Sequence, residues 1–245
     1  MRNPVYEGKS KTVYSGMDDF TCIMRYRNTA TAFNGEKKEE LEGKGKLNAA
    51  ISNYLFKYLE KNGIKTHFIK ELNDSGIDEP EILVKKAEII MVELIVRNIA
   101  AGSFSKKYGI VEGTELKNTV IEFCLKSDAL GDPMINATQI TAIGLAKKSE
   151  IDEMINLAYR INELLTSLFF KASIKLIDFK LEFGRIITPA GREIILCDEI
   201  SPDTCRLWDI DTNEKMDKDR FRKDMGNVME GYREVLKRLN NVKES

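Results

Sequence analysis

The stretch IKLIDFKLEFG, residues 174–184, alternates charged and apolar side chains with the two-residue period of a β-strand. One predicted face carries the charged residues Asp178, Lys180 and Glu182. The other face carries the apolar residues Ile177, Phe179, Leu181 and Phe183. Strands with one charged face are commonly half solvated, but a carboxylate, an ammonium and a carboxylate in single file also suit a phosphate and metal site.

A second run, REIILCDEI at 192–200, predicts another strand, with Ile194, Leu196 and Asp198 on one face. A short turn containing proline and glycine separates the two runs, so an antiparallel pairing would bring Glu182 and Asp198 to the same edge. Two carboxylates beside a lysine suit Mg²⁺, which takes oxygen ligands and usually only one or two from protein. An ordinary solvated strand pair is the alternative, because charged residues are common on sheet edges.

Composition narrows the classes of function. The chain has 245 residues, enough for one large domain or two closely packed lobes. Its 38 basic and 39 acidic residues are balanced, which argues against nucleic acid as a partner and leaves a small charged metabolite possible. The four cysteines form no CxxC pair and His67 is the single histidine, so we expect no structural zinc. The sequence shows neither an apolar leader nor an apolar run of membrane-spanning length, so we expect a protein of the reducing cytoplasm that does not enter a membrane.

Periodicity predicts alternating strands and helices. VYEGKSKTVYSG reads as two short strands joined at Gly8, and FTCIMRYR as a third. A helix is predicted over about 46–62, followed by three strands in THFIKEL, ILVKKAEII and VELIVRN. Ser149 and Asp152 resemble a capping box that opens a helix through about residue 170. A single surface helix is predicted over about 217–238.

The segment GKSKT at 8–12 invites comparison with a P-loop, but the pattern lacks its first glycine, since Asn3 stands there, and a strand rather than a helix follows. A hairpin flap fits better, with Lys9 and Lys11 reaching over phosphates as glycine-rich loops do in kinases. Ordinary surface lysines are the alternative. Lys85 lies in a mainly apolar strand, where a lysine either extends to solvent or meets an anion.

Two further segments carry arginines at predicted loops. In RNIAAGSFSKKYG, residues 97–109, Arg97 and Ser103 flank a turn of small residues before a short helix, which suits phosphate binding, although a plain strand-to-helix connection looks similar. In DEISPDTCRLWD, Arg206 offers a planar fork for a carboxylate or phosphate, and Trp208 anchors the loop. The sequence shows no serine–histidine or cysteine–histidine arrangement for nucleophilic catalysis. Metal-assisted phosphoryl transfer is therefore the predicted chemistry.

In order along nearly the whole chain, these motifs resemble the SAICAR synthetase family. The matching segments are YEGKSKTVY, VRNIAAGS, LKSDALGDPMI, DFKLEFG, DEISPDTCRLWD and MDKDRFR. The resemblance implies a two-lobed α+β fold with antiparallel sheets and an ATP-binding cleft related to ATP-grasp and kinase-like architectures. We place an N-terminal β-rich ATP-binding lobe at 1–90 and a C-terminal α+β lobe with the metal and substrate sites at 91–245, with the boundary near IIMVELIV.

The resemblance implies an ATP-dependent carbon–nitrogen ligase of purine biosynthesis. Such an enzyme condenses the carboxylate of CAIR, a carboxylated aminoimidazole ribonucleotide, with the amine of L-aspartate to give SAICAR, ADP and phosphate. Transfer of the γ-phosphoryl group would make an acyl phosphate, whose phosphate can depart when the amine attacks. ATP and Mg²⁺ are the implied cofactors, the partners are small molecules rather than nucleic acid or membrane, and a homodimer in the cytoplasm is expected.

The resemblance also implies roles for individual residues. The residues that would contact ATP are Gly8, Lys9, Ser10, Lys11 and Lys85, and those that would hold Mg²⁺ are Glu182 and Asp198. Lys180 and Asp178 are the implied catalytic pair. The residues that would bind or lie near the ribonucleotide are Arg97, Ser103, Lys126, Asp132, Asp178, Arg206 and Arg222. Some relatives carry an aspartate where this chain has Asn34, so a polar turn is expected there rather than a charge.

Two other classes of protein remain open at this point. A small-molecule kinase would use the same lysines and carboxylates, but it would release ADP without L-aspartate and leave a stable phosphorylated product. A nucleotide-binding regulator would bind ATP without turnover.

Overall fold

The computed structural model describes residues 3–32, 35–72, 79–189 and 191–242. Its helices are α1 Lys44–Lys61, α2 Gly102–Tyr108, α3 Ala137–Ala142, α4 Lys148–Lys171, α5 Asp219–Arg222 and α6 Val228–Asn240. Its strands are β1 Pro4–Glu7, β2 Lys11–Ser15, β3 Thr21–Tyr26, β4 Thr29–Ala32, β5 Lys37–Glu40, β6 Phe68–Leu72, β7 Glu81–Lys85, β8 Glu88–Ile99, β9 Glu115–Leu125, β10 Met134–Ile135, β11 Ile174–Thr188, β12 Gly191–Cys197 and β13 Cys205–Asp209. Helices combined with antiparallel sheets confirm the predicted α+β class.

Two larger antiparallel sheets organise the molecule. The first has the order β1-β2-β3-β7-β6 and contains the predicted N-terminal strands. The second has the order β10-β9-β8-β11-β12, and β13 also pairs with β11. A parallel bridge between Thr66 and Leu196 connects the segment before β6 to β12. Because this bridge lies next to Asp198, it ties the first sheet to the edge where the predicted metal ligands lie.

The long strand β11 determines where a site can form. Strand β8 pairs with one of its edges. On the other edge β13 pairs with its first half, from Ile174 to Phe179, and β12 with its second half, from Glu182 to Thr188. The chain that leaves β12 and enters β13 therefore crosses beside the middle of β11, where Lys180 N donates to Thr204 O at 2.9 Å. The charged residues of β11 and the segment that connects β12 to β13 line the same cavity.

The largest cluster of buried hydrophobic residues in the described part of the chain reaches from the first sheet to the second. It joins Ile82 and Val84 of β7 to Leu94 of β8 through the buried faces of α1 and α4. The apolar stripe predicted for α4 is confirmed except at one position: Ile155 is only partly buried, whereas the other predicted residues are buried, namely Ile151, Ala158, Ile161, Leu165 and Leu168. The division into lobes at residue 90 falls within β8 and stays a prediction.

Two local predictions were wrong. Helix α4 begins at Lys148, and the Glu150 carboxylate accepts a hydrogen bond from Lys147 N at 2.8 Å, so Ser149 and Asp152 do not cap it. The predicted C-terminal helix is two helices, α5 and α6. They are separated by residues that include Gly226 and Asn227 in the left-handed conformation, which ends a right-handed helix. Helix α6 also buries Tyr232, Val235 and Leu239, so one face of it packs into the protein.

Candidate active site

A cavity of about 400 Å³ lies between the β1–β2 turn, the charged face of β11, the neighbouring part of β8 and helix α5. Its volume falls within the usual range of roughly 300–1,000 Å³ for small-molecule sites. The predicted site residues in its lining are Gly8, Lys9, Ser10, Lys11, Arg97, Ser103, Lys126, Asp132, Asp178, Lys180, Glu182, Asp198, Arg206 and Arg222. The structure thus brings together side chains from residue 8 to residue 222.

The floor of the cavity is formed by two paired strands. Asp178 of β11 lies opposite Arg97 of β8, and Glu182 lies opposite Glu93. Residues directly opposite in an antiparallel pair present their side chains to the same face, so both strands contribute charge to the cavity. Burial is deep: Asp178 is 3% exposed and Glu182 is 4% exposed. The charged face of β11 is therefore enclosed rather than half solvated.

Lys180 lies at the centre of a carboxylate cluster. Its Nζ contacts Glu182 Oε1, lies 3.0 Å from Glu93 Oε1 and lies 3.3 Å from Asp198 Oδ2. Lys126 Nζ contacts Glu182 Oε1 at 2.9 Å. Burial alone would lower the pKa of Lys180, but the negative charges of Glu182, Asp198 and Glu93 outweigh it and raise that pKa well above its usual value. Lys180 is therefore a fixed positive charge.

Asp198 reaches this cluster through an unusual backbone conformation. Strand alternation predicted Asp198 on the face of Ile194 and Leu196, but those two residues lie in the hydrophobic core. Strand β12 ends at Cys197, and Asp198 adopts a φ of 61°, in the left-handed region. Aspartate tolerates this region better than most residues. The turn directs the carboxylate into the cavity, so the predicted convergence with Glu182 is confirmed while the predicted face is wrong.

The N-terminal hairpin supplies the counter-charge of Asp198. Lys11 Nζ contacts Asp198 Oδ1 and lies 2.7 Å from Glu199 Oε1. Burial disfavours the charged carboxylate of Asp198, but Lys11, Lys180 and Lys126 together hold its pKa well below the usual range. Among the residues that the structure describes, Glu199 Oε2 is buried without a hydrogen-bond partner. An unsatisfied buried carboxylate oxygen in the residue next to Asp198 is a position where a cation is stabilised.

Two guanidinium groups form a second corner. Arg97 Nη1 and Arg206 Nη1 donate to Asp178 Oδ2 at 2.8 Å and 2.9 Å, so one carboxylate orients both. Ser103 Oγ lies 3.3 Å from Arg97 Nη2. Burial would lower the pKa of Arg206, but the charges of Asp178 and Asp219 raise it, so the group is permanently charged. Two fixed guanidinium groups beside a hydroxyl suit a phosphate or carboxylate.

Gly102 makes room for this corner. A Cβ at Gly102 would lie 2.3 Å from Arg206 Nη2, and its φ is 54°. Only glycine satisfies both the close approach and the left-handed backbone without strain. The small residues of this turn were noted in the sequence, but the sequence did not show that Gly102 makes room for the Arg206 side chain.

The remaining predicted residues lie around the rim. Lys9 Nζ contacts Asp128 Oδ1 at 2.7 Å, which joins the β1–β2 turn to the opposite side of the cavity. Asp132 Oδ1 accepts from Ser127 N at 2.9 Å and orders the turn after Lys126. Arg222 Nη1 donates to Asp219 Oδ1 at 2.7 Å.

One predicted site residue lies outside the cavity lining. Lys85 Nζ donates to Thr66 O at 2.8 Å, and its predicted contact with ATP phosphates stays a prediction. Asn34 lies outside the described residues. The assigned roles of the residues within the cavity likewise stay predictions, because the structure shows their positions and not their ligands.

Several cavity residues were not predicted from the sequence, among them Glu93, Asp128, Glu199, Asp203 and Lys218. The sequence could have predicted Glu93, because it precedes Arg97 by four residues in the same strand and therefore lies on the same face as Arg97. Asp203 and Lys218 lie outside the strands and helices, where no periodicity predicts which way a side chain faces.

No helix in the described part of the chain is both long and apolar enough to cross a membrane. Within residues 3–32, 35–72, 79–189 and 191–242, no three histidine, cysteine, aspartate or glutamate side chains come together as a metal-binding group.

Comparison with known proteins identifies relatives of this arrangement. A model of the SAICAR synthetase family matches residues 4–239. A phosphoribosylaminoimidazole-succinocarboxamide synthase from Sinorhizobium medicae is 51% identical over 244 residues, which cover 100% of this chain and 94% of the relative. The crystal structure of the Ehrlichia chaffeensis enzyme of that name matches with a TM-score of 0.93 at 45% identity, covering 99% of this chain and 100% of that one. A SAICAR synthetase solved in complex with ADP matches with a TM-score of 0.88 at 42% identity, covering 98% and 99%.

Proposed function

The chain belongs to the SAICAR synthetase family of purine-biosynthesis enzymes, and from that membership we propose that it joins the carboxylate of CAIR to the amine of L-aspartate. ATP supplies the driving force, and the products are SAICAR, ADP and phosphate. The ADP complex of a 42% identical relative supports ATP as the nucleotide. The relative from Sinorhizobium medicae is named for this reaction, and the match covers 100% of this chain and 94% of that relative.

One observation carries the proposal: the cavity has two differently charged corners joined by the charged face of β11. One corner mixes ammonium groups with carboxylates, at Lys11, Lys180, Glu182 and Asp198. The other presents the guanidinium groups of Arg97 and Arg206. The mixed corner suits a polyphosphate bound with a cation, and the guanidinium corner suits a phosphate monoester. A reaction that uses two phosphorylated substrates, ATP and CAIR, needs both corners in one cavity.

Glu182 and Asp198 fit Mg²⁺ by the chemistry of their oxygen donors, since Mg²⁺ usually takes only one or two ligands from protein. When bound together with ATP, Mg²⁺ would neutralise part of the phosphate charge. It would also take the place of some of the ion pairs that these carboxylates form with lysines. The charge of the cluster supports this assignment, since Lys11, Lys126 and Lys180 face Glu93, Glu182, Asp198 and Glu199.

The protein's own residues hold the reacting groups. Lys11 and Lys180 keep their charge at neutral pH, because the pKa of each is raised by neighbouring carboxylates, and both stabilise the γ-phosphoryl group as it moves. Arg97, Ser103 and Arg206 hold the phosphate of the ribonucleotide. Asp178 acts by orienting the two guanidinium groups through its hydrogen bonds.

The proposed reaction breaks one bond for each bond that it forms. A carboxylate oxygen of CAIR bonds to the γ-phosphorus as the bond to the bridging oxygen of ADP breaks. The amine nitrogen of L-aspartate then bonds to the carboxyl carbon, a proton leaves the nitrogen, and phosphate departs with the oxygen that linked it. Activation is needed because oxide is a poor leaving group from a carboxylate. Holding both substrates in one cavity makes the attack effectively unimolecular.

Three accompanying expectations belong to the same proposal. They are a homodimer, a cytoplasmic location, and a division into an ATP-binding lobe at 1–90 and a substrate-binding lobe at 91–245. The family resemblance supports each of them.

The test is ADP release with ATP and Mg²⁺, with CAIR and L-aspartate omitted in turn, while mass spectrometry follows the product. We expect sustained ADP release only when both are present, together with the mass of SAICAR. ADP release without L-aspartate and with a phosphorylated product would show a kinase. ATP binding without turnover under any combination would show a regulator.

A further inference from the structure

Asp217 is a fully buried carboxylate that lies behind the guanidinium corner, outside the lining of the cavity. It is 0% exposed and belongs to the segment that connects β13 to α5. The proposed reaction gives it no contact with a substrate. A buried carboxylate is unfavourable unless hydrogen bonds satisfy its oxygens, so the groups that hold Asp217 indicate what it does.

The two hydrogen bonds of Asp217 fix both ends of one contact in the guanidinium corner. Its Oδ2 accepts from Leu207 N at 2.8 Å, and this N–H belongs to the peptide unit that follows Arg206. Its Oδ1 accepts from Asp219 N at 2.7 Å. Asp219 Oδ2 in turn accepts from Arg206 Nε at 3.1 Å. A closed ring of hydrogen bonds thus joins the backbone of Arg206 to its own guanidinium group through Asp217 and Asp219.

Backbone hydrogen bonds hold Asp217 itself in place. Met216 N donates to Leu207 O at 2.8 Å, so the residue before Asp217 pairs with β13 at the residue that Asp217 also contacts. Arg220 N donates to Asp217 O at 3.1 Å, which fixes the residue to α5. The Asp217 carboxylate therefore sets how β13 and α5 lie relative to each other beside Arg206.

The ring requires Asp217 to be ionised. Both of its partners are N–H groups, so both of its oxygens must act as acceptors. An ionised carboxylate provides two acceptors, whereas a protonated carboxyl group or an amide provides one good acceptor and one group that must donate. A buried N–H without an acceptor is unfavourable, so loss of the charge would shift the backbone that carries Arg206 or Asp219.

Asp217 gains and loses this charge near neutral pH. Burial, and then the charge of Asp219, raise the pKa of its carboxyl group from its usual 3.8 to about 7, against the opposing effects of the two N–H groups and Arg206. The other titratable groups that face it are Cys205 of β13 and Tyr232 of α6. Burial raises the pKa of both above its usual value, so both stay neutral where Asp217 titrates.

We propose that Asp217 is a positioning residue that holds Arg206 for the phosphate of the ribonucleotide, and that this phosphate is bound tightly only while Asp217 is ionised. The inference rests on the proposed function, because that function assigns the phosphate to Arg97, Ser103 and Arg206. It adds a residue outside the cavity that controls one of these groups. A purely structural role, in which Asp217 only caps the short helix α5, is the alternative that the test must separate.

The experiment measures kcat and the KM values for CAIR and ATP between pH 6 and 8.5 in Asp217→Asn and the wild type. Asparagine resembles the protonated carboxyl group and does not titrate, and comparing the two proteins at each pH cancels the titration of the substrates. We expect Asp217→Asn to raise the KM for CAIR about tenfold at pH 8.5 and at most about twofold at pH 6, where the wild-type carboxyl group is itself protonated. The KM for ATP and kcat should stay within about twofold of wild type at every pH.

Asp211→Asn is the matched control, because Asp211 lies in the same connection between β13 and α5 but is exposed. It should match the wild type throughout. A ratio of KM values for CAIR that does not change with pH, an equal rise for CAIR and ATP, or a loss confined to thermal stability would overturn the proposal.

A second variant covers the case in which Asp217→Asn does not fold, as judged by circular dichroism. Asp217→Ser then replaces it, because a serine hydroxyl can keep the local hydrogen bond from Asp219 N while losing the one from Leu207 N. The same narrowing of the KM ratio for CAIR towards pH 6 is expected, and a constant ratio would again overturn the role of Asp217.

Direct binding separates this inference from the proposed function. Ribose 5-phosphate, a phosphate monoester without the imidazole and its carboxylate, is titrated calorimetrically into the wild type and Asp217→Asn at pH 8.5 and pH 6. We expect the wild type to bind it at least about fivefold more tightly than the variant at pH 8.5, and about equally at pH 6. If the wild type forms no SAICAR, the proposed function fails and this comparison alone decides the role of Asp217. A difference confined to the higher pH upholds that role, and equal binding at both pH values, or none, overturns it.

Discussion

Lys11 Nζ lies 2.7 Å from Glu199 Oε1, so strand β2 near the N-terminus and the segment that follows β12 share an ion pair in the lining of the cavity. Lys11 also contacts Asp198, and these two carboxylates come from consecutive residues. One ammonium group therefore neutralises two buried charges. Its position links the hairpin that borders the cavity to the residues that we propose as ligands of the nucleotide and its cation.

Replacing Lys11 should damage both turnover and stability. In Lys11→Ala we expect turnover to fall by about two orders of magnitude or more, as for loss of a preorganised electrostatic contact. We also expect unfolding to become easier by roughly 3 to 5 kcal/mol, because two buried carboxylates lose their partner. Steady-state ADP release and urea unfolding measure the two effects. Adding Glu199→Gln to Lys11→Ala should recover part of the stability but not the turnover, and recovery of turnover would contradict the role of Lys11.

Asp198→Asn tests the metal assignment. Asparagine tolerates the left-handed backbone at this position, so the fold should persist. We expect turnover to fall by about two orders of magnitude or more, because a neutral amide is a weaker ligand for Mg²⁺ than a carboxylate. The measurement is ADP release against Mg²⁺ concentration, with Asp211→Asn as an exposed control. Unchanged rates in a folded Asp198→Asn protein would remove Asp198 from the metal site.

Gly102→Ala should disturb the guanidinium corner. The new Cβ would lie 2.3 Å from Arg206 Nη2, and the guanidinium group would have to move. We expect the KM for CAIR to rise about tenfold or more while the KM for ATP stays near the wild-type value, since one charge-assisted hydrogen bond contributes about 1.5 to 3 kcal/mol.

Gly109→Ala is the matched control for that variant. Gly109 also has a positive φ, of 67°, but an added Cβ there meets nothing within 4 Å. Both substitutions therefore carry the same kind of backbone strain, and only Gly102→Ala carries the clash. Equal effects of the two variants on the KM for CAIR would show that strain rather than Arg206 is responsible.

The Glu150–Arg185 pair should make stability depend on acid pH. Hydrogen bonds from Arg185 lower the pKa of Glu150 to about 2 from its usual 4.5. Because the folded-state pKa is lowered, the stabilisation is fully present above about pH 4.5 and is lost as the pH falls towards 2. We expect Glu150→Gln to cost roughly 1.5 to 3 kcal/mol at pH 7 and less at pH 3. Urea unfolding between pH 7 and 3 measures this, with exposed Glu153→Gln as control, and a pH-independent loss would contradict it.

Much of the fold followed from periodicity. The strands around Gly8, the long α1 and α4, and the antiparallel pairing of β11 with β12 were predicted from apolar and charged spacing. The same alternation placed Asp178, Lys180 and Glu182 on one face. The C-terminal helix was predicted as one because its charged residues show no break, whereas the left-handed residues around Gly226 divide it.

The site was predicted only in part. Residues in motifs that resemble the family lie together in the cavity, while Lys85 contacts Thr66 O outside its lining. Glu199, Asp203 and Lys218 were not singled out, because their importance comes from neighbours far away in the chain. Lys218 has no distinctive spacing in the sequence, and its ion pair with Asp203 Oδ2 at 3.7 Å joins residues from two different loops.

The sequence by itself determined which faces of β11 and α4 are apolar, because these depend on the short periods of strands and helices. Tertiary structure alone decided the direction of the Asp198 carboxylate and the fit of Arg206 against Gly102. Each of these depends on a left-handed backbone angle or on side chains brought together from distant segments. Such contacts are set by the balance of burial and charge in the folded protein, which no local pattern encodes.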